Sequence, residues 1–157
     1  LTVEENLVLE NHSSFKSHGV LDHAAIGRHA DELIEEFGIK TDGRGALAQT
    51  LSGGNLQKII LARELSASPR AVVAAQPTRG LDVGAIEYVH RRILEARDRG
   101  AGILLISEDL DEVFALSDRI AVIYEGRIMG ITDRESADRE QVGLWMSGVS
   151  GVSRPCA

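Results

Sequence analysis

The chain has very few residues of the kinds that form covalent or metal cross-links. Of its 157 residues one is a cysteine, Cys156, and the five histidines show no metal-ligand spacing. A single cysteine excludes a disulfide framework, and it cannot supply a cysteine-ligated zinc site. This composition fits a reducing compartment such as the cytoplasm.

The chain also lacks a long apolar run and a surplus of positive charge. No stretch of about 18 apolar residues occurs, so no transmembrane helix is predicted. The net charge of −7 argues against a general nucleic-acid binder, because phosphate backbones are bound by basic surfaces. The first residue is Leu1 and not an initiator Met. The first residues also lack the pattern of a signal peptide, in which a basic segment precedes an apolar one. We therefore expect the interior of a longer protein.

Local signals predict several helices. Residues 2–5 form a capping box, Thr-Val-Glu-Glu, which predicts a short helix through about Leu9. A polar loop is expected from residue 11 to residue 19. Asp22 caps a longer helix that ends at Gly38. Its apolar residues recur at helical spacing: Ile26, Ala30, Leu33, Ile34 and Phe37.

Two short runs are apolar at every position, Ala71–Ala75 and Gly102–Ile106. Such runs are typical of strands that are buried on both faces of a parallel sheet. A helix from about Ala85 to Arg99 separates them. A third strand, Arg119–Tyr124, is followed by a Glu-Gly turn and a returning strand over residues 128–131, which predicts a hairpin. Strands that alternate with helices indicate an α/β fold with a mostly parallel sheet.

Later side chains have structural interpretations. A last helix is predicted from about Arg139 to Met146, followed by a flexible Gly/Ser tail. Phe114 and Trp145 are expected to pack in a core or interface instead of stacking on a ligand. The charged residues of the helix after residue 85 are interpreted as solvated ion pairs: Arg91, Arg92, Arg97, Arg99, Glu87, Glu95 and Asp98.

Residues 51–58, Leu-Ser-Gly-Gly-Asn-Leu-Gln-Lys, have the form of a phosphate-binding turn. Ser52 offers a hydroxyl, and Gly53 and Gly54 let backbone N–H groups approach an anion without a Cβ between them. The helix that follows, through about Leu65, places its positive end at the same point. This turn is therefore a candidate phosphate site.

The turn is the first of four features in a fixed order. The strand that ends Ala75-Gln76-Pro77-Thr78 follows, then Arg79-Gly80-Leu81-Asp82, then the strand that leads into Ser107-Glu108-Asp109. This order resembles the C-terminal half of an ABC-type ATPase domain over about residues 1–148. The Asn-x-Gln-Lys variant of the turn looks like the second ATPase half of bacterial simple-sugar and nucleoside importers.

The resemblance implies a partial P-loop NTPase fold with a small helical subdomain and a C-terminal β-hairpin. It divides the chain into a helical subdomain and loop over residues 1–50 and an ATPase core over residues 51–136. The core holds the signature helix, Walker B-like strand, D-loop and switch region. Residues 137–157 form a C-terminal helix and tail.

Three positions depart from the family pattern. The Walker B strand usually ends Asp-Glu-Pro-Thr, where this chain has Ala75 and Gln76. Ala75 offers no oxygen to a magnesium shell, so no metal residue is assigned. Gln76, at the position of the catalytic base, accepts a hydrogen bond but cannot take a proton. Glu108, at the switch-histidine position, would repel a phosphate. We therefore interpret this half's own catalytic site as degenerate.

The Walker A loop, Gly-x-x-x-x-Gly-Lys-Ser/Thr, is absent. The resemblance therefore implies that ATP and Mg²⁺ belong to the full-length assembly, and that the fragment alone binds neither and is inactive as an ATPase. In the family two halves pack head to tail. Ser52, Gly53, Gly54 and Gln57 are accordingly expected to complete the partner half's ATP site in trans, with Asp82 bridging the two sites.

The partners implied are the other ATPase half, membrane permease subunits and, indirectly, an extracytoplasmic solute-binding protein, with no nucleic acid. The location implied is the cytoplasmic face of the plasma membrane, as a peripheral subunit. Two alternatives stay open: a non-transport ABC ATPase, and a non-catalytic nucleotide-binding or regulatory module. The isolated fragment is expected to self-associate, because one face of its apolar strands lacks cover.

Overall fold

The computed structural model describes residues 1–17 and 20–149, and the chain forms two compact units, one over Leu1–Leu104 and one that begins at Leu105. The helices are α1 Val3–Leu7, α2 His23–Glu36, α3 Gly53–Leu65, α4 Val83–Asp98, α5 Leu110–Leu116 and α6 Arg139–Met146. The strands are β1 Lys16–Ser17, β2 Val20–Leu21, β3 Ala71–Ala75, β4 Gly102–Ile106, β5 Arg119–Tyr124 and β6 Arg127–Asp133.

The strands pair two by two in the described residues. β3 and β4 are parallel neighbours joined through α4, and β5 and β6 form an antiparallel hairpin. This confirms the α/β class with a parallel sheet and a C-terminal hairpin. Both predicted apolar runs are strands with the predicted bounds, because each is a short β-branched and aliphatic segment between turn residues.

The segment expected to be a polar loop contains regular structure. His12–Phe15 forms a 3₁₀ turn, and the antiparallel pair β1–β2 follows it, with Lys16 opposite Leu21. The loop prediction was wrong here because a two-residue ladder is too short to produce an alternating pattern in the sequence. The end of that predicted loop, residues 18 and 19, lies outside the described residues.

The first two helices are held by the caps that the sequence indicates. The Thr2 hydroxyl accepts the Glu5 N–H at 3.2 Å and the Glu5 carboxylate accepts the Thr2 N–H at 2.8 Å, which confirms the capping box. α1 ends at Leu7, two residues before the predicted end near Leu9. Asp22 caps α2 at the Ala25 N–H, and Gly38 adopts a φ of +58° after its last turn.

Arg44 joins the loop after α2 to both of these helices. Its guanidinium contacts the Glu4 carboxylate at 2.9 Å and also pairs with Asp31. A Cβ built on Gly27 would lie 3.1 Å from the same guanidinium, so a side chain at this position would require the Arg44 side chain to shift by a few tenths of an ångström. Asp31 of α2 and Glu4 of α1 are therefore both paired with Arg44.

The prediction that β3 and β4 are buried on both faces was wrong. Exposure alternates along both strands; Val73 is 67% exposed and Leu104 is 58% exposed. The half-buried residues Val72, Ala74 and Ile103 share a cavity with side chains of α3 and α4. One face of the strands is thus covered by helices, and nothing in the described chain covers the other.

The second unit has its own small core. Ile120 and Val122 of β5 and Val142 of α6 are buried, and Phe114 and Trp145 pack against them. This confirms the packing interpretation of the two aromatic residues. The hairpin turns at Glu125 and Gly126, which adopt φ values of +46° and +76°, as a two-residue turn with two left-handed positions requires. The predicted flexible tail lies mostly at residues 150–157, outside the described residues.

Candidate phosphate-binding turn

Ser52 is the N-cap residue of α3, as predicted, but its side chain does not cap the helix. The residue is exposed, has extended backbone angles, and makes no side-chain hydrogen bond to an N–H of the first turn. Among the described residues, the amides of Gly53, Gly54 and Asn55 have no hydrogen-bond partner. The first turn of α3 also contains no acidic residue. The positive end of this helix is therefore left uncompensated by the described chain.

Asn55 holds the Ser52 hydroxyl in place. Its Nδ2 donates to Ser52 Oγ at 3.0 Å, and its Oδ1 accepts the backbone N–H of Lys40 at 2.9 Å. No role for Asn55 was predicted from the sequence. A polar amide three residues after an N-cap serine was the available signal, because this spacing places both side chains on the first turn.

The two glycines of the turn differ in their surroundings. A Cβ built on Gly53 would meet no atom within 4 Å, whereas one on Gly54 would lie 3.3 Å from Ala85 Cβ. The amino ends of α3 and α4 therefore meet at Gly54. Asp82, the predicted bridging residue, caps α4 by accepting the Ala85 N–H at 2.9 Å. The structure thus places Asp82 on the helix that the turn contacts.

Lys58 is turned away from the phosphate-binding turn. Its Nζ donates to the Gly38 carbonyl at 2.8 Å and lies 4.8 Å from the centre of the Tyr88 ring. Burial, together with the nearby positive charges of Lys40 and Arg92, lowers the pKa of Lys58. This side chain therefore binds the carboxyl end of α2, which is the negative end of that helix.

Arg92 is not the solvated ion-pair residue that the charge pattern predicted. Its side chain is only 16% exposed, and it donates to the Glu36 carbonyl at 2.6 Å and to Tyr88 Oη at 3.1 Å. It also lies 4.3 Å from the centre of the Phe37 ring. The predicted ion pair is present, with Glu95 at 3.0 Å, but the burial was not predictable, because the Glu36 carbonyl lies 56 residues earlier in the sequence.

Gln57 and Ala75 lie beside the same cavity of about 420 Å³ between α3, β3 and α4. Gln76, directly after β3, adopts a left-handed φ of +49°, and its carbonyl accepts the Arg79 N–H at 3.2 Å. This conformation costs energy for a residue with a side chain and marks the sharp turn after the strand. Gln57 and Ala75 therefore line one cavity, while Ser52 stays exposed at the start of α3.

Glu108 belongs to the second unit and follows β4. Glu108 is exposed. The residues on either side of it lead into α5, and Ser107 Oγ accepts the Asp109 N–H at 3.0 Å. Asp109 in turn caps α5 at the Asp111 N–H. The loop is thus fixed by its serine and aspartate, while the Glu108 carboxylate is directed to solvent.

The described residues show no cluster of metal ligands, and the magnesium-shell position of the family pattern has no side-chain oxygen. Among the described residues no group of three or more His, Cys, Asp or Glu side chains is placed to hold a metal, and Ala75 has no oxygen to offer. Every described helix is also too short or too polar to cross a bilayer.

Comparisons with known proteins identify relatives of nearly the whole chain, although no family model matches it. NupA, a nucleoside import ATP-binding protein of Lactococcus lactis subsp. cremoris, is 47% identical over 150 residues, which cover 94% of this chain and 30% of that protein. TsgD13, a glucose import ATP-binding protein of Haloferax volcanii, is 49% identical over 152 residues, 94% of this chain and 28% of that protein. The chain thus spans less than a third of these relatives' length.

Solved structures share the fold. An ATP-binding cassette of an ABC transporter superposes with a TM-score of 0.72 at 21% identity, over 95% of this chain and 62% of that one. An ATP-binding subunit of an ABC transporter gives a TM-score of 0.67 at 25% identity, over 98% and 59%. Together with the sequence relatives and the motif order, these matches show that the chain belongs to the family of ABC transporter ATP-binding proteins.

Proposed function

We propose that the chain is part of the ATP-binding subunit of an ABC importer, and that its turn at residues 52–55 binds the phosphates of a nucleotide held by another ATPase half. The observation that supports this proposal most strongly is the lack of hydrogen-bond partners at the amino end of α3. Three backbone amides of this end have no partner in the described chain, and the helix has no acidic first-turn residue. An anion supplied from outside would satisfy these groups.

The other half supplies the nucleotide because this half is poorly equipped to do so. Ala75, Gln76 and Glu108 stand where the family pattern has a metal ligand, a base and a histidine. ATP and Mg²⁺ accordingly bind at the other half, and this half, with Gln76 at the base position and Glu108 at the switch position, hydrolyses ATP slowly or not at all. This half acts as a clamp, with Gln57 and Asp82 supporting the junction.

The substrate class follows from the relatives. NupA is a nucleoside import ATP-binding protein and TsgD13 is a glucose import ATP-binding protein, and they are 47% and 49% identical to this chain. The subunit would therefore work at the cytoplasmic face of the membrane with permease subunits, which receive a nucleoside or simple sugar from an extracytoplasmic solute-binding protein.

A second candidate is a non-catalytic nucleotide-binding or regulatory module. The losses at Ala75, Gln76 and Glu108 favour it, because a half that only senses nucleotide needs no base and no metal ligand. The two candidates differ in one respect that can be measured. A clamp is required for hydrolysis at the other half, whereas a regulatory module is not.

Ser52→Arg in the full-length protein separates the two candidates. A long cationic side chain at this exposed position would fill the space in front of the free amides, and we expect steady-state ATP turnover to fall by at least about 100-fold, as when oxyanion donors are removed. Ser13→Arg, at an exposed serine in the 3₁₀ turn His12–Phe15, is the matched control. Unchanged turnover in Ser52→Arg would favour the regulatory module.

A further inference from the structure

Asn55 connects the phosphate-binding turn to the carboxyl end of α2. One end of its carboxamide contacts Ser52 Oγ at 3.0 Å, and the other contacts the backbone N–H of Lys40 at 2.9 Å. These are two different elements, since Lys40 follows α2 and Ser52 begins α3. A single short side chain therefore determines where the Ser52 hydroxyl lies relative to the end of α2.

The chemistry of the two contacts fixes which way the carboxamide faces. The Lys40 N–H is a donor only, so the oxygen of Asn55 must face it and the NH₂ group must face Ser52. Ser52 Oγ is thus an acceptor in this contact. Its own hydroxyl proton is left to point elsewhere, and the exposed side of Ser52 is the direction that remains open.

The carboxyl end of α2 is a firm anchor for this arrangement. Its last carbonyls accept hydrogen bonds from three side chains of α3 and α4: Glu36 from Arg92 at 2.6 Å, Phe37 from Tyr88 at 2.9 Å and Gly38 from Lys58 at 2.8 Å. Two of these donors are cations at the negative end of the helix, which is a favourable placement. The Lys40 N–H, which orients Asn55, lies two residues after Gly38, the last of these three acceptors.

We infer that Asn55 is a positioning residue which turns the Ser52 O–H outward as a donor for a phosphate oxygen. The inference rests on the proposed function, since it assumes that the phosphate comes to this turn. Replacing Asn55 by the isosteric aspartate keeps the acceptor for Lys40 but removes the donor to Ser52. The Ser52 proton would then turn inward to the new carboxylate, and the hydroxyl would be lost as a phosphate donor.

A double-mutant cycle in the full-length protein tests this role. Steady-state ATP turnover and the KM for ATP are measured for wild type, Ser52→Ala, Asn55→Asp and the double variant. We expect Asn55→Asp to lower kcat about 10-fold more in the wild-type background than in the Ser52→Ala background, while KM stays nearly unchanged. The reason is that only the wild-type background has a Ser52 hydrogen bond to the charged phosphate to lose, and one such bond accounts for a change of about this size. The added charge alone would act equally in both backgrounds.

Two controls separate this inference from general damage and from the proposed function. Asn11→Asp makes the same charge change at a residue whose side chain does not cap its 3₁₀ turn, and it should leave kcat unchanged. Equal losses from Asn55→Asp in the two backgrounds, or no loss in wild type, would overturn the inference. If Ser52→Arg still abolishes turnover in that case, the proposed function stands; if it does not, the proposed function itself has failed.

Discussion

At the scale of single residues, two glycines of the second unit are required to different degrees. A Cβ on Gly130 of β6 would lie 2.5 Å from the Trp145 ring, closer than any real contact allows. A Cβ on Gly143 of α6 would meet nothing within 4 Å. The sequence alone could not separate them, because the difference comes from how α6 is placed against the hairpin.

Gly130→Ala and Gly143→Ala should therefore change stability in opposite directions. Gly130→Ala forces Trp145 out of its position, and we expect a loss of about 1–3 kcal/mol in the free energy of unfolding. Gly143→Ala removes a glycine from a helix interior and should add up to about 1 kcal/mol. Denaturant unfolding of the two variants compares them directly. Equal stability of the two would contradict the packing described for this unit.

Ser52 shows what a motif can and cannot predict at the same scale. The position of the turn at the start of a helix was predictable from Ser-Gly-Gly, because glycine and an N-cap serine have local conformational preferences. The orientation of the hydroxyl was not, because it depends on Asn55 and, through it, on the Lys40 amide 15 residues away. Motif spacing carries no information about that contact.

At the scale of elements, helix starts were predictable and the contact that joins the helices was not. Asp22, Asp82 and Asp109 each cap the helix that follows, and such caps are visible in the sequence. The carboxyl end of α2 is instead held by Tyr88 and Arg92, which lie 51 and 56 residues from the carbonyls they bind. These contacts require the tertiary arrangement of α2 and α4.

Tyr88→Phe should loosen the end of α2 without unfolding the protein. The change removes the hydrogen bond to the Phe37 carbonyl and the acceptor for Arg92 Nε, a loss of about 1 kcal/mol. Hydrogen–deuterium exchange of the last turn of α2 should become about fivefold faster. Tyr124→Phe is the matched control, since no hydrogen bond of its hydroxyl occurs among the described residues. Unchanged exchange in Tyr88→Phe would show that the contact contributes nothing.

At the scale of the whole molecule, the exposed face of β3 and β4 is the main departure from the sequence prediction. Apolar residues at every position predicted burial on both sides, yet Val73 and Leu104 are more than half exposed. An apolar composition shows that a strand is suited to packing against apolar surfaces. It does not show whether the described chain contains a surface that packs against each face. The curated relatives are more than three times as long as this match.

The isolated 157-residue chain should self-associate through this face. Exposed aliphatic side chains on a two-stranded sheet whose outer edges are unpaired in the described residues favour association with a second chain. Light scattering after size exclusion should report a dimer or larger species at micromolar concentration. Val73→Glu should shift it toward monomer, because a carboxylate is costly to bury. A monodisperse wild-type monomer would contradict this expectation.

The central claim is that the phosphate-binding turn of this half serves a nucleotide held by the other half. Gly53→Ala tests it most directly, since the new Cβ meets no atom of this chain within 4 Å and leaves the fold intact. Steady-state ATP turnover of the full-length protein is compared with that of a variant carrying the equivalent glycine change in the other half. We expect turnover to fall at least about 10-fold in Gly53→Ala and less than about twofold in the other variant. Equal losses, or a larger loss in the other half, would contradict it.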